Sequence, residues 1–190
     1  MTLRDPIEHL LDEHREIMTE IDRLRDAVRD LEARGDAAVP ASLSALQSVG
    51  EMMATRLLAH AKKEDEALFP ALEDVFGRTG GPTAVMRREH RDIHAQAERF
   101  RETLRVLEEV EHPAIVAGGA KLRTMAAGSA SAADLRAAGL EVIRLLDLHF
   151  AKEEDILFPM ARQALSEQSM AEVASKMEEI GAGGGAPRLR

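Results

Sequence analysis

The chain has 190 residues, of which 45% are hydrophobic, and carries a formal net charge of −9. This length and apolar content suffice for one globular domain, whereas the negative charge argues against nucleic acid or an anionic membrane as the main partner. The absence of cysteine excludes disulfides, thiolate catalysis, iron–sulfur clusters and cysteine-ligated zinc. Because no apolar signal segment or bilayer-length apolar run is present, we expect a cytoplasmic protein.

The first half of the chain predicts two long helices. Apolar residues recur at three- and four-residue steps over Ile7–Leu31, between a typical helix start at Asp5-Pro6 and a typical end at Gly35. The second apolar stripe begins after Pro40 and reaches Ala71. Pro70 should kink or weaken the last turns of this second helix, because proline lacks an N–H.

The second half predicts two more long helices. After a turn at Gly77–Pro82, apolar positions recur over Met86–Leu107 and over Leu135–Met160. The second of these stripes passes through His149 and Glu153 and continues with Ile156 and Met160. The segment Glu111–Ser131 is interrupted by proline and glycines, which indicates a long connection containing a short helix at Ala120–Ala126. Four helices with one apolar face each predict an all-α fold, an up-down-up-down antiparallel four-helix bundle.

A short appendage follows the four helices. Apolar positions within Ser166–Ile180 predict a fifth, C-terminal helix, which could cover the bundle or form a dimer contact. The glycine-rich residues 181–190 predict a flexible tail. The expected organisation is therefore a bundle over residues 1–165, a helix over 166–180 and a tail over 181–190.

Two near-copies of one phrase carry the chemistry. His60 and Glu64 occur in one copy, His149 and Glu153 in the other, and both copies end in Leu-Phe-Pro. A spacing of four places imidazole and carboxylate on one helix face, where they can bind one metal ion or two adjacent ions. One such pair alone is more typical of a solvated helix surface. Two matching copies on apolar stripes favour a metal site, because a buried carboxylate is costly unless it is paired or metal-bound.

An internal repeat extends this pattern. The run from Glu13 to Ile17 resembles the run from Glu89 to Ile93, which places His14 opposite His90 in two similar helical hairpins. Two equivalent halves suit two metal ions that share bridging ligands. His94 lies one turn after His90, but its repeat counterpart is Met18. If His94 is a ligand rather than a core or supporting residue, the two metals have unequal histidine counts, and the poorer one could take a small molecule.

The candidate ligand set comprises five histidines and two glutamates: His14, His60, Glu64, His90, His94, His149 and Glu153. We expect His9 and His112 not to be ligands, since His9 is off the face of His14 and His112 precedes a proline in the connection. The acidic runs Asp65-Glu66 and Glu154-Asp155 should be solvated or should support the ligand imidazoles. Such a donor set suits iron, zinc, copper or nickel more than magnesium or calcium.

This combined pattern resembles the hemerythrin-like family, the His-His-Glu cation-binding domains, over about Ile7–Ala164. The resemblance implies two non-haem iron ions bridged by both carboxylates and by an oxo or hydroxo group. Oxygen-carrying members have an aspartate five residues after the fourth-helix histidine, whereas Glu153 follows His149 by four. The His-x-x-x-Glu form resembles iron-sensing and nitric-oxide-stress members, although the cysteine-containing segment of the iron–sulfur-repair members is absent.

Three functional hypotheses follow. The first is a di-iron protein that binds or senses a diatomic ligand, O2 or NO. The second is a di-iron enzyme of peroxide or nitric-oxide detoxification, with H2O2 as one substrate. The third is a structural helical protein with zinc or no metal. Whether the protein is an enzyme, which ligand it binds, its redox partner and its oligomeric state are left open by the sequence.

Overall fold

The computed structural model describes residues 4–78, 81–117 and 131–183. These residues confirm the all-α prediction, since they form helices and turns without a strand. A 3₁₀ turn at Gly35–Ala38 and π-helical turns at Met53–Leu57, Glu64–Leu68 and Glu153–Leu157 link neighbouring helices. The α-helices are α1 (Pro6–Arg34), α2 (Val39–Met52), α3 (Leu58–Lys63), α4 (Phe69–Phe76), α5 (Pro82–Ala117), α6 (Ala132–Lys152), α7 (Phe158–Ala164) and α8 (Glu167–Gly183).

Helix α1 begins and ends at the predicted signals. The Asp5 carboxylate accepts hydrogen bonds from the N–H groups of Ile7, at 2.8 Å, and Glu8, at 3.2 Å. These bonds satisfy two of the N–H groups that a helix start leaves without partners. The helix ends at Gly35, whose φ of 57° lies in the left-handed region that glycine tolerates.

Both Leu-Phe-Pro phrases begin at the last residue of a π turn. The Phe69 N–H donates to the Glu64 carbonyl, five residues back, and the Phe158 N–H donates to the Glu153 carbonyl in the same way. The wider turn lets the helix accommodate the following proline, which has no N–H to donate. Pro70 therefore does not terminate the helix, which continues to Phe76.

The π turns also change which residues face the core. Ile156, which the sequence pattern placed on the apolar stripe, is 54% exposed, whereas Leu157 is buried. The extra residue in the turn rotates the following helix by about one position, so Ala161 rather than Met160 is buried as well. The predicted stripe was wrong beyond Glu153, because it assumed an uninterrupted period of 3.6 residues.

Two helices extend further than predicted. Helix α5 continues to Ala117, so Glu111–Ala117 is helical rather than part of a connection, and His112 lies in that helix. Pro113 lies inside this helix, although proline is the least favourable residue for a helix interior. The predicted helix at Ala120–Ala126 lies outside the described residues. Helix α8 ends at Gly183, three residues into the predicted tail, and residues 184–190 lie outside the described ranges.

Contacts between helices bring distant parts of the chain together. The Arg162 guanidinium pairs with Glu8 near the start of α1, whereas Arg136 pairs with Glu32 near its end. The Gln96 amide of α5 donates to the carbonyl of Ala138 on α6 at 3.3 Å.

Among the described helices, none is long and apolar enough to cross a bilayer.

The buried side chains form two apolar clusters. One contains Ile17 of α1 together with Leu57, Ala97 and Leu146. The other contains Leu10, together with Leu68, Met86 and Leu157. Along each of the four long helical segments, the candidate ligands fall between a residue of one cluster and a residue of the other. The site is therefore enclosed by apolar side chains at both ends.

Candidate metal centre

Six of the candidate ligands are buried and converge from four helical segments. Glu64 and Glu153 are each the first residue of a π turn, so both carboxylates lie where the helix is locally widened. Π turns occur often at functional sites, because the extra residue redirects a side chain. The six buried ligands, each at most 3% exposed, are His14, His60, Glu64, His90, His149 and Glu153.

These side chains form two four-residue groups that share both carboxylates. His14 and His60 belong to one group and His90 and His149 to the other, and Glu64 and Glu153 belong to both. In each group the candidate ligand atoms lie within 4.8 Å of one another. We call the first group the His14–His60 site and the second the His90–His149 site. Two histidines beside two shared carboxylates can hold a pair of adjacent cations.

The distances between donor atoms fit a metal site. Glu153 Oε2 is 3.3 Å from His14 Nε2, and its Oε1 is 3.0 Å from His149 Nε2. Glu64 Oε2 is 3.5 Å from His60 Nε2 and 3.2 Å from His90 Nε2. Two ligands that are each roughly 2.1 Å from one ion, at a right angle, are about 3.0 Å apart. The observed separations therefore need only small adjustments to accommodate ions.

The two shared carboxylates are buried without aligned hydrogen-bond donors. Glu64 and Glu153 are both 0% exposed, and none of their four oxygen atoms has an aligned hydrogen-bond donor. His90 Nε2 and His149 Nε2 also lack hydrogen-bond partners. Buried polar atoms without partners are rare in proteins, because each loses its hydration without replacement. Bound cations would satisfy these oxygen and nitrogen atoms together, so the residues present fit a metal pair.

Outer carboxylates orient the imidazoles. Glu154 lies 2.7 Å from His14 Nδ1, Glu13 lies 3.1 Å from His60 Nδ1, and Glu89 lies 3.2 Å from His149 Nδ1. Each bond directs Nε2 toward the shared carboxylates and favours the tautomer that binds metal through Nε2. For Glu154 this is one of the two predicted roles.

The fourth imidazole is held less tightly. Asp65 Oδ1 is 3.2 Å from His90 Nδ1, but the two are not aligned as a hydrogen bond, and Asp65 also pairs with Arg87.

Sequence reasoning missed Glu13 and Glu89 as supporting residues. The signal was present, because each precedes a candidate histidine at matching positions of the repeat.

Charges in the site favour protonated imidazoles beside ionised carboxylates. Burial by itself would lower the pKa of His90, but Asp65, Glu153 and Glu64 outweigh it and raise this pKa to about 11. The pKa of His14 is likewise raised against the effect of burial, mainly by Glu153. Burial would raise the pKa of Glu153, yet its neighbouring histidines hold it well below the usual value. A metal ion that binds these imidazoles must therefore displace protons.

His94 lies near the site but belongs to neither four-residue group. It is partly buried, and its Nε2 atom is buried without a hydrogen-bond partner. Burial lowers the pKa of His94, and the charge on His90 lowers it further, which favours the neutral imidazole, the form that binds a metal. His9, expected not to be a ligand, lies outside both groups, where its Nε2 is 3.0 Å from Lys63 Nζ.

These features define an all-helical protein with buried histidine–carboxylate groups able to hold metal cations. Comparison with protein families gives the same result: the hemerythrin HHE cation-binding domain matches residues 5–111 and residues 107–181. The chain belongs to this family, which confirms the resemblance seen in its sequence. A search of curated proteins found no match.

Proposed function

We propose that the chain holds two non-haem iron ions inside an up-down-up-down antiparallel four-helix bundle. The observation that carries this proposal is the pair of fully buried carboxylates, shared by two histidine pairs and without hydrogen-bond donors. Shared carboxylates are typical of dinuclear centres, and nitrogen–oxygen donor sets suit iron. The proposed ligands are His14, His60, Glu64, His90, His94, His149 and Glu153.

The function that we infer for this pair is binding or sensing of a diatomic ligand, O2 or NO, in the cytoplasm. A reduced iron pair would supply the electrons that such ligands need in order to bind. The apolar clusters at both ends of the site support this function, since they limit access of water and the loss of electrons to solvent. His94 supports it too, because a fifth histidine without a counterpart in the other half would make the two metal sites unequal.

The metal assignment is tested by elemental analysis and Mössbauer spectroscopy of protein purified from its native host. We expect two iron ions per chain and a spectrum of coupled non-haem iron. Zinc, or a colourless protein without iron, would refute the assignment and favour a structural role.

The role of His94 is tested by replacing it with leucine. We expect His94→Leu to retain two iron ions and to abolish or alter the optical spectrum of the O2- or NO-bound protein. His112→Leu is a suitable control, because His112 lies 18 residues further along α5, about 27 Å from His94. An unchanged ligand-bound spectrum in His94→Leu would exclude His94 from the ligand set.

The alternative is an enzyme that removes H2O2 or NO with the same metal pair. The two functions differ in turnover. Binding or sensing is supported if the iron-loaded protein binds NO or O2 but consumes H2O2 and NO no faster than free iron does. Sustained consumption above that level, with an electron donor supplied, would instead support the enzyme.

A further inference from the structure

Each half of the site contains the same series of three groups: a lysine, a glutamate and a histidine. In the first half, Lys63 pairs with Glu13, whose other oxygen is 3.1 Å from His60 Nδ1. In the second half, Lys152 pairs with Glu89, whose other oxygen is 3.2 Å from His149 Nδ1. Because the two series of groups correspond by the internal repeat, any difference in their surroundings distinguishes the two sites.

Their surroundings differ strongly in burial. The Lys63 side chain is 7% exposed, whereas that of Lys152 is 42% exposed. His9 Nε2 lies 3.0 Å from Lys63 Nζ and 3.2 Å from Glu13 Oε1, which adds a further contact on this side. The repeat counterpart of His9 is Val85, an apolar residue that is 41% exposed. The lysine of the first half is therefore the more buried one and has one more polar contact, whereas Glu13 and Glu89 are similarly exposed, at 24% and 19%.

Helix α8 covers the first half. It packs against α1, α3 and the π turn Glu64–Leu68, and it buries Val173, Ala174 and Met177. Its end reaches Lys63, since a methyl group placed on Gly181 would lie 4.0 Å from Lys63 Cε. A buried ion pair is screened less by solvent than an exposed one, so the Lys63–Glu13 pair should hold His60 more rigidly than Lys152–Glu89 holds His149.

We infer that α8 makes the two metal sites unequal: by burying Lys63, the partner of Glu13, it makes the His14–His60 site retain its ion longer than the His90–His149 site does. Lys63 is thereby a positioning residue, acting on the metal through Glu13 and His60. This inference rests on the proposed metal pair but not on which small ligand the protein binds, and it gives the C-terminal helix a role. It predicts an order of release opposite to that expected from histidine count alone, since His94 would add a ligand beside His90 and none beside His14.

The wild-type test is removal of metal from the full chain. Protein loaded anaerobically with two ferrous ions is mixed with an excess of a chromogenic ferrous chelator, and the release of iron is followed by absorbance. We expect two phases of one ion each. Uptake of fewer than two ions would refute the dinuclear proposal itself, whereas release of both ions in one phase would overturn only this inference.

Matched variants assign the slow phase. Loss of a group that supports a metal ligand typically weakens metal binding about 10–100-fold, so Lys63→Met should accelerate the slow phase by a comparable factor. Lys152→Met should change either phase by less than about fivefold, as expected for an exposed pair. Equal acceleration of both phases by Lys63→Met would indicate general loosening and overturn the inference, as would an equal effect of Lys152→Met on the slow phase.

Two further variants separate charge from packing. Lys63→Arg keeps a cation beside Glu13 and should retain most of the slow phase; loss of that phase would contradict a positioning role for the charge. Met177→Ala loosens α8 without touching the lysine–glutamate–histidine series and should accelerate the slow phase alone. An unchanged slow phase in Met177→Ala would show that α8 does not cause the inequality.

Discussion

The stability of the metal-free protein should fall as the pH rises above neutrality. Burial lowers the pKa of His90, but the carboxylates of Asp65, Glu153 and Glu64 outweigh it and raise this pKa to about 11 in the folded protein. The unfolded chain releases the His90 proton near the ordinary histidine value of about 6.5. The folded state thus binds more protons between these limits, and the stabilisation, complete below about pH 6.5, is lost as the pH rises toward 11.

The magnitude follows from proton linkage. One extra proton in the folded state changes the free energy of unfolding by about 1.4 kcal/mol per pH unit. Between pH 7 and pH 9, His90 alone therefore contributes a loss of roughly 2.5 kcal/mol, and the raised pKa of His14 acts in the same direction. For a chain of this length, each kcal/mol shifts the melting temperature by about 2–4 °C, which gives a decrease of about 5–10 °C.

Metal should reverse this trend, because imidazoles that bind metal have given up their protons. The assay is thermal unfolding followed by far-ultraviolet circular dichroism, at pH 7, 8 and 9, with metal-free and iron-loaded protein under argon. The difference in melting temperature between the two forms should widen as the pH rises. His90→Gln should flatten the metal-free curve. A melting temperature of the metal-free protein that is constant or rises from pH 7 to pH 9 would refute the reasoning.

Three other predictions concern the shared carboxylate and the packing around it. Glu153→Gln should reduce uptake of both ions, as measured by elemental analysis, because both groups contain Glu153; loss of one ion only would contradict a shared ligand. In urea titrations, Leu157→Ala should lower the free energy of unfolding by about 2–5 kcal/mol, whereas Ile156→Ala should lower it by less than about 0.5 kcal/mol. The reverse order would refute the one-position rotation of the helix after the π turn. Gly139→Ala should destabilise by about 1 kcal/mol in the same assay, since a methyl group there would lie 2.9 Å from Val28 Cγ2; a gain in stability would show that the helices separate easily.

Much of the helical structure could be predicted because its signals are local. Helix α1 is an example: its start follows from the cap at Asp5, its length from the apolar spacing over Ile7–Leu31 and its end from Gly35. Each of these signals involves residues that are close together in the sequence. The stripe after Glu153 could not be predicted in the same way. The π turn depends on where the carboxylate and the following proline must lie, and periodicity alone does not report an inserted residue.

The candidate ligands were visible for a similar reason. A histidine and a glutamate four residues apart share a helix face whatever the rest of the fold does, and the repeat indicated that two such pairs belong together. The supporting residues were harder to recognise. Glu13 contacts His60 from another helix, 47 residues away in sequence, so its role depends on how the helices pack.

The sequence by itself determined the family, the helical periods and the histidine and carboxylate candidates, because these depend on spacing along the chain. Only the tertiary structure decided which of these residues meet. It brings Glu64 and Glu153 into both groups, while His94 belongs to neither. It also places α8 over Lys63 and leaves Lys152 half exposed, a difference between two nearly identical phrases. Burial depends on what packs against a residue, and neighbours from distant parts of the chain are not encoded in its local pattern.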